Sequence, residues 1–346
     1  LTKRQRIALA VAVGVTVAGS IVGIVSIKKS MEEEHKVHLP LVMSGYDPAV
    51  LPYGPKGVAG YDATGLLDKD AYYGWAVRSH DMASELARMV WCTSDEWMAA
   101  HGSEIIPAAQ ADFNAGIKGR VWLIDNEPAT DYGQCGSQHI GSELVSDVPR
   151  TAAWAYHSVY LTIKAADPNA KVFAGGVTNI GVPSTAQWWY TEFIDEMDDQ
   201  GWLFEIEGVH IHAYPRWAVG CADPFSGGWP EHGDWCMDGM FTAIDDWYED
   251  FHVGLGLGDR PIWITESGCA SYAADLIPYG DDAWTYCRDN VMEPMQEWFD
   301  GQSDYDALYW FISDAGHGAE ECWWPTALVK DGSLTPLGIG WNSWHP

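Results

Sequence analysis

The sequence predicts an α/β protein closed as a (β/α)8 TIM barrel, preceded by an N-terminal transmembrane or signal segment. Three observations predict it. Eight short apolar runs recur along the chain, helical patterns fill most gaps between them, and a long uncharged run opens the sequence. Strand and helix in alternation imply a parallel sheet, and eight such units imply closure. The 346 residues hold one barrel of roughly 250 residues with length to spare.

The first segment, 1–30, stands apart. Lys3, Arg4 and Arg6 precede the uncharged run Ile7 to Ile27. At 1.5 Å per residue such a run spans about 30 Å, the thickness of a bilayer core. A signal anchor is expected, with a cleaved signal peptide as the alternative, and the rest of the chain is expected outside the cell. Residues 31–55 read as a linker and lead-in, charged and then rich in proline, and 56–346 as the barrel domain.

The expected strands are KGVAG (56–60), YYGWAV (72–77), ARMVWC (87–92), RVWLIDNE (120–127), KVFAGG (171–176), EGVHIHAY (207–214), PIWITES (261–267) and DALYWFIS (306–313). Expected helices run from Ile105 to Ile117, Thr151 to Ala165, Thr185 to Asp198, Met240 to Phe251 and Trp284 to Phe299. Asp167-Pro168-Asn169 makes a turn into the fifth strand. The stretch from Ala59 to Tyr72 leaves little room for a helix. Trp188 and Trp189 are expected to pack helix against barrel.

Composition narrows the function. A net charge of −30 excludes nucleic acid as a partner, since phosphate binding needs a basic surface. The same charge repels anionic lipid and anionic polysaccharide, so a neutral substrate fits better. Twenty tryptophans exceed ordinary usage, and an indole face stacks on flat partners such as a sugar ring. Seven cysteines (92, 135, 221, 236, 269, 287 and 322) form no C-x-x-C pair, which argues against a structural zinc site. In an exported chain they can form disulfides, and Cys221 with Cys236, bracketing one Gly/Pro-rich loop, is the first expected pair.

Polar residues gather where strands end. The fourth ends in Asp125, Asn126 and Glu127. The sixth carries His210, His212 and Tyr214 at period 2, so the three share a face. The seventh ends in Thr265, Glu266 and Ser267, and the eighth carries Trp310. Trp75 and Arg78 sit at the end of the second. In a barrel these ends meet at one mouth, where catalytic residues lie. Two glutamates across that mouth suit glycoside hydrolysis, one as proton donor and one as nucleophile.

NEP after an apolar strand, H-x-Y on a later one and ITES on the next resemble clan A of the glycoside hydrolases. DPNAKVFAGG and the closing TALVKDGSLTPLGIGW extend the likeness. The early strands resemble short barrels related to family 128, many of them endo-β-1,3-glucanases, and the C-terminal half has family 39-like features. The resemblance implies a retaining O-glycosyl hydrolase without cofactor, acting on a carbohydrate. It implies Glu127 as acid/base and Glu266 as nucleophile. Asn126 would hold the sugar 2-hydroxyl, Tyr214 would bond the nucleophile, and His212 and Trp310 would line the sugar, with Trp75 and Arg78 nearby. The loop from Pro215 to Asp238 would wall the cleft with Trp217, Trp229 and Trp235. Asp125 departs from the commoner small residue and is expected to face the helix layer. Two other readings use the same residues: a metal-dependent barrel hydrolase built on His210 and His212, and a cell-surface carbohydrate-binding barrel without turnover.

Overall fold

The computed structural model describes residues 56–60, 65–69, 71–74, 77, 85–117, 119–128, 148–177, 186–214, 234–269, 282–311 and 326–346. Eight parallel strands close into a barrel in the order of the chain. They are β1 (Lys56–Ala59), β2 (Ala71–Tyr73), β3 (Glu85–Val90), β4 (Val121–Ile124), β5 (Lys171–Val177), β6 (Gly208–Ala213), β7 (Ile262–Ser267) and β8 (Ala307–Phe311). Closure is the β1–β8 pairing, which runs in register from Lys56↔Leu308 to Ala59↔Phe311.

Period-2 alternation sorts the strand residues into two layers. Ala59, Tyr73, Ala87, Met89, Val121, Leu123, Phe173, Trp263, Ala307 and Tyr309 fill the barrel interior. Their neighbours, among them Val58, Tyr72, Val90, Trp122, Ile124, Val209, Ile264 and Trp310, face outward into the helix layer. The interior is tightly filled. A Cβ on Gly57 would lie 2.3 Å from Tyr309 Cε1, and one on Gly208 2.4 Å from Phe173 Cε1. Each glycine thus makes room for a ring that crosses the barrel.

The helix after β3 arrives in two pieces. α1 (Asp95–His101) begins at Ser94, whose side chain accepts from Trp97 N. A 3-10 turn, Gly102–Glu104, leads to α2 (Ile105–Asn114). Only the second piece is expected from the sequence, and Ser94-Asp95-Glu96 is the start signal of the first. Where α2 meets the barrel, Asp112 takes Arg88 in two hydrogen bonds of 2.6 and 2.7 Å, and Arg120 lies within 3.3 Å. α3 (Val148–Ala166) and α4 (Ala186–Asp199) match expectation closely. Trp189 is buried and stacks on Phe193 one turn along the same helix, and both join the core cluster that includes the outward-facing strand residues.

α5 (Asp234–Trp247) begins before the expected Met240 and runs on as a π-helical turn, Tyr248–Val253. α6 (Asp282–Cys287) and α7 (Glu293–Asp300) flank a second π turn, Arg288–Met292. Pro294 has no N–H to give the helix, which accounts for the slipped ladder before it. β9 (Val329–Lys330) and β10 (Ser333–Leu334) form a hairpin through Asp331 and Gly332, both at positive φ. α8 (Pro336–Ser343) closes the chain, with Thr335 accepting from Gly338 N and Pro336 in the first turn.

Cys269 is disulfide-bonded to Cys287, which ties the end of β7 to α6, and Cys92 is also disulfide-bonded. The expected Cys221–Cys236 pair lies outside the described residues. Among the described residues no helix is long and apolar enough to cross a membrane, and Ile7 to Ile27 lies outside them.

Candidate active site

The rim of β4 is built on unusual backbone. Asp125 has φ 68° and Glu127 φ 52°, left-handed values that side-chain-bearing residues avoid at a cost of about 1–2 kcal/mol each. Hydrogen bonds on both sides hold them there. Asp125 N donates to Val90 O (2.9 Å), Asn126 N to Trp91 O (3.0 Å) and Glu127 N to Gly176 O (2.9 Å). The rim is therefore stitched first to β3 and then to β5. Gly176, at φ 62°, permits the approach, since a Cβ there would lie 2.4 Å from Asp125 O.

Asp125 does not face the helix layer as expected. Its carboxylate turns sideways and accepts from Thr93 N (2.7 Å) and Thr93 Oγ1 (3.1 Å). It ties the Glu127 rim to the loop that starts α1. Burial pushes its pKa up to about 7, and the two Thr93 bonds oppose that shift. Asn126 lies buried between Asp125 and Glu127.

β6 presents His210, His212 and Tyr214 to the interior, as the period predicts. Tyr214 Oη donates to Glu266 Oε2 at 2.7 Å. His212 Nδ1 lies 3.1 Å from Glu127 Oε1 and 3.4 Å from Glu266 Oε2, so one imidazole nitrogen serves both carboxylates. Burial works against a charged His212, but the Glu266 and Glu127 carboxylates outweigh it and raise its pKa above the ordinary value. His210 sits deeper. Its Nδ1 meets Thr265 Oγ1 and its Nε2 meets Ile124 O, both at 3.2 Å. Burial and the neighbouring His212 lower its pKa to about 3, so it is a neutral strut.

Glu266 reaches this cluster through a bulge. Trp263 points inward and Ile264 outward, so strict alternation would send Glu266 out to the helices. The register against β6 jumps from Ile211↔Ile264 to His212↔Glu266, which skips Thr265. Against β8 it jumps from Ile264↔Leu308 to Ser267↔Trp310. This inserted residue turns the Glu266 side chain into the mouth.

A second phenol also meets Glu266. Tyr73, on the inward face of β2, lies with its hydroxyl 2.9 Å from Thr265 O and 3.3 Å from Glu266 Oε1. Sequence reasoning missed it. The run YYGW does not by itself say which of its two tyrosines faces the barrel interior.

Trp310 is a correction. It is fully buried on the outward face of β8, near Trp341, and its indole N–H donates to Thr326 O at 2.9 Å. A side chain with no exposed face cannot serve as a sugar platform. Phe311 is the residue beside the cluster, 6.3 Å from Tyr214 between ring centres. Trp75, Arg78 and the tryptophans 217 and 229 lie outside the described residues, as does the side chain of Trp235.

One donor atom from each of Glu127, His212 and Glu266 lies within 4.8 Å of the other two. Any cation held at the mouth would take these three. The His210–His212 pair is not a ligand pair, because both ring nitrogens of His210 are engaged by Thr265 and Ile124. Two carboxylates this close, one deep and one on the rim, can act as a paired nucleophile and proton carrier.

Residues 71–340 match the family model described as "Glycosyl hydrolase catalytic core". No curated protein matches the chain in sequence. Among similar solved structures is a GH128 (subgroup VI) exo-β-1,3-glucanase from Aureobasidium namibiae, 13% identical, with a TM-score of 0.53 over 84% of this chain and 98% of that one. Another is a monomeric β-xylosidase from Caulobacter crescentus, 12% identical, with a TM-score of 0.49 over 85% of this chain and 68% of that one. At 13% identity the likeness to the Aureobasidium namibiae enzyme speaks for the fold alone.

Proposed function

The chain belongs to the glycosyl hydrolase catalytic core family, and we propose that it is a retaining glycosidase using Glu266 as nucleophile and Glu127 as acid/base. The spacing of the two carboxylates carries the reading. One oxygen of each lies within 4.8 Å of one of the other, a closeness in keeping with the separation of about 5–5.5 Å between carboxyl groups that double displacement uses. The environments divide the roles. Glu266 lies deep in the mouth, where two phenol hydroxyls direct their hydrogen bonds at its carboxylate oxygens, as a nucleophile needs. The Glu127 side chain is 23% exposed, on the rim where a leaving group departs and water enters.

Glu266 attacks the anomeric carbon as the glycosidic C–O bond breaks, and Glu127 gives its proton to the departing oxygen. An ester joins sugar and Glu266. Glu127, now a carboxylate, takes a proton from water, the water oxygen attacks the anomeric carbon, and Glu266 leaves as carboxylate. Asn126 holds the 2-hydroxyl, and His212 orients both carboxylates. No cofactor enters these steps.

The substrate is a neutral β-linked glucan, with β-1,3-glucan as the specific proposal. The charge of −30 disfavours anionic polymers, and the Aureobasidium namibiae neighbour is an exo-β-1,3-glucanase. The enzyme works outside the cell, held by or released from the segment at 1–30. Its Cys269–Cys287 disulfide supports an oxidising compartment.

The test is a panel of neutral polysaccharides, with the first-formed anomer followed by proton NMR. A β-linked substrate should give β product first, and Glu266→Gln should abolish turnover while still binding. Inverted product, or ordinary turnover by Glu266→Gln, would sink the assignment.

A further inference from the structure

We infer that the Tyr73 hydroxyl is a shuttling donor that tunes the nucleophile, bonding Glu266 while it is a carboxylate and retiring to the Thr265 carbonyl when it becomes an ester. The inference rests on Glu266 being the nucleophile. Its ground is the shared geometry: one phenol proton faces two acceptors, Thr265 O at 2.9 Å and Glu266 Oε1 at 3.3 Å. The first acceptor exists because of the bulge. The ladder skips Thr265 against β6 and shifts between Ile264 and Ser267 against β8, and the Thr265 carbonyl takes the Tyr73 hydroxyl within the barrel.

The ring is placed with little freedom. Tyr73 is fully buried and packs edge-on against Tyr309, with ring centres 5.5 Å apart. Tyr309 in turn lies over Gly57, where a Cβ would be 2.3 Å from its ring. The hydroxyl can therefore turn between its two acceptors while the ring stays still. Burial first, and then the Glu266 charge, raise the Tyr73 pKa well above 10. Tyr73 therefore keeps its proton and works as a donor, not as an acid.

An ionised oxygen accepts a hydrogen bond roughly twice as strongly as a neutral one. As Glu266 bonds to the sugar, its charge is lost and the Tyr73 hydroxyl falls back on Thr265 O, so neither buried group is left unsatisfied. When the ester breaks, the returning charge draws the hydroxyl back. Tyr73 thus favours release of the glycosyl-enzyme. Tyr214, at 2.7 Å on the other carboxylate oxygen, is the steady anchor.

Two readouts test this. Carbon-13 NMR of the labelled Glu266 carboxyl, assigned with Glu266→Gln, follows its titration without any substrate. In Tyr73→Phe the midpoint should rise by about one pH unit. With 3-fluorotyrosine at position 73, a stronger donor of the same shape, it should fall. The second readout is hydrolysis of a 2-fluoro-α-glucosyl-enzyme formed on Glu266 from a 2-fluoro-β-glucoside, which should slow about tenfold in Tyr73→Phe. A Glu266 midpoint that moves in neither variant, or moves the same way in both, overturns the inference. If the midpoints move as stated but no 2-fluoro sugar labels the wild type, the Tyr73 link stands and the glycosidase reading falls.

Discussion

Asp125→Asn should make the protein more stable above neutral pH and leave it unchanged in acid. The carboxyl is buried against Thr93, and burial moves its pKa from 3.8 to about 7. A group whose folded pKa exceeds its unfolded value contributes stability that is complete below the unfolded value. That contribution is lost as pH rises through the folded one. Roughly three pKa units at 1.36 kcal/mol each come to about 4 kcal/mol. Asparagine keeps the shape. Its Oδ1 still accepts from Thr93 N, its Nδ2 can donate to Thr93 Oγ1, and it never ionises. The stability difference, variant minus wild type, should thus climb by about 1.4 kcal/mol per pH unit between about pH 4 and 7, then level off. His210 and His252 act with the opposite sign. Their pKa values are lowered to about 3 and about 4, so their contribution is present above 6.5 and lost as pH falls. Both proteins share these histidines, so they cancel in the difference. Urea unfolding of the two proteins at half-unit steps from pH 4 to 8 measures it. A difference that stays flat with pH would refute the argument, because Asp125 would then titrate alike folded and unfolded.

Two other expectations test the rim and the histidines. Nitrogen-15 NMR should find His210 neutral down to about pH 3 and His212 titrating above the ordinary histidine value, since the first is buried between a hydroxyl and a carbonyl beside His212, and the second faces two carboxylates. A His210 that titrates near pH 6.5 would refute its role as a strut. Gly176→Ala places a Cβ 2.4 Å from Asp125 O at φ 62°, and it should lower stability by about 2 kcal/mol. It should also reduce glycoside turnover, because Glu127 N hangs on Gly176 O. Wild-type melting together with wild-type turnover would count against the stitched rim.

The fold was legible because its signals are local. Each strand from the third onward was an apolar run, and each run lies within a few residues of the observed strand. The π turns Tyr248–Val253 and Arg288–Met292 were not legible as breaks, since they continue the flanking helices without an interrupting loop. At the candidate site, Glu127, His212, Tyr214 and Glu266 were readable as polar residues closing apolar strands, and the structure brings all four together. Trp310 misled because residue type alone carries no face. Parity against Tyr309 decides it, and parity sends Trp310 outward.

Residue order along the chain was enough for the barrel, for the two glutamates, and for the three β6 side chains on one face, because periodicity and strand ends are one-dimensional properties. It could not decide which way Glu266 points. Alternation from Trp263 aims it at the helices, and the bulge at Thr265, a matter of how β7 pairs with both neighbours, turns it inward. Nor could order along the chain bring Tyr73 to Glu266, 193 residues away, or carry Asp125 across to Thr93. Those contacts exist only once the sheet has closed, because closure sets distant strand ends side by side and lets pairing register choose the face each side chain shows.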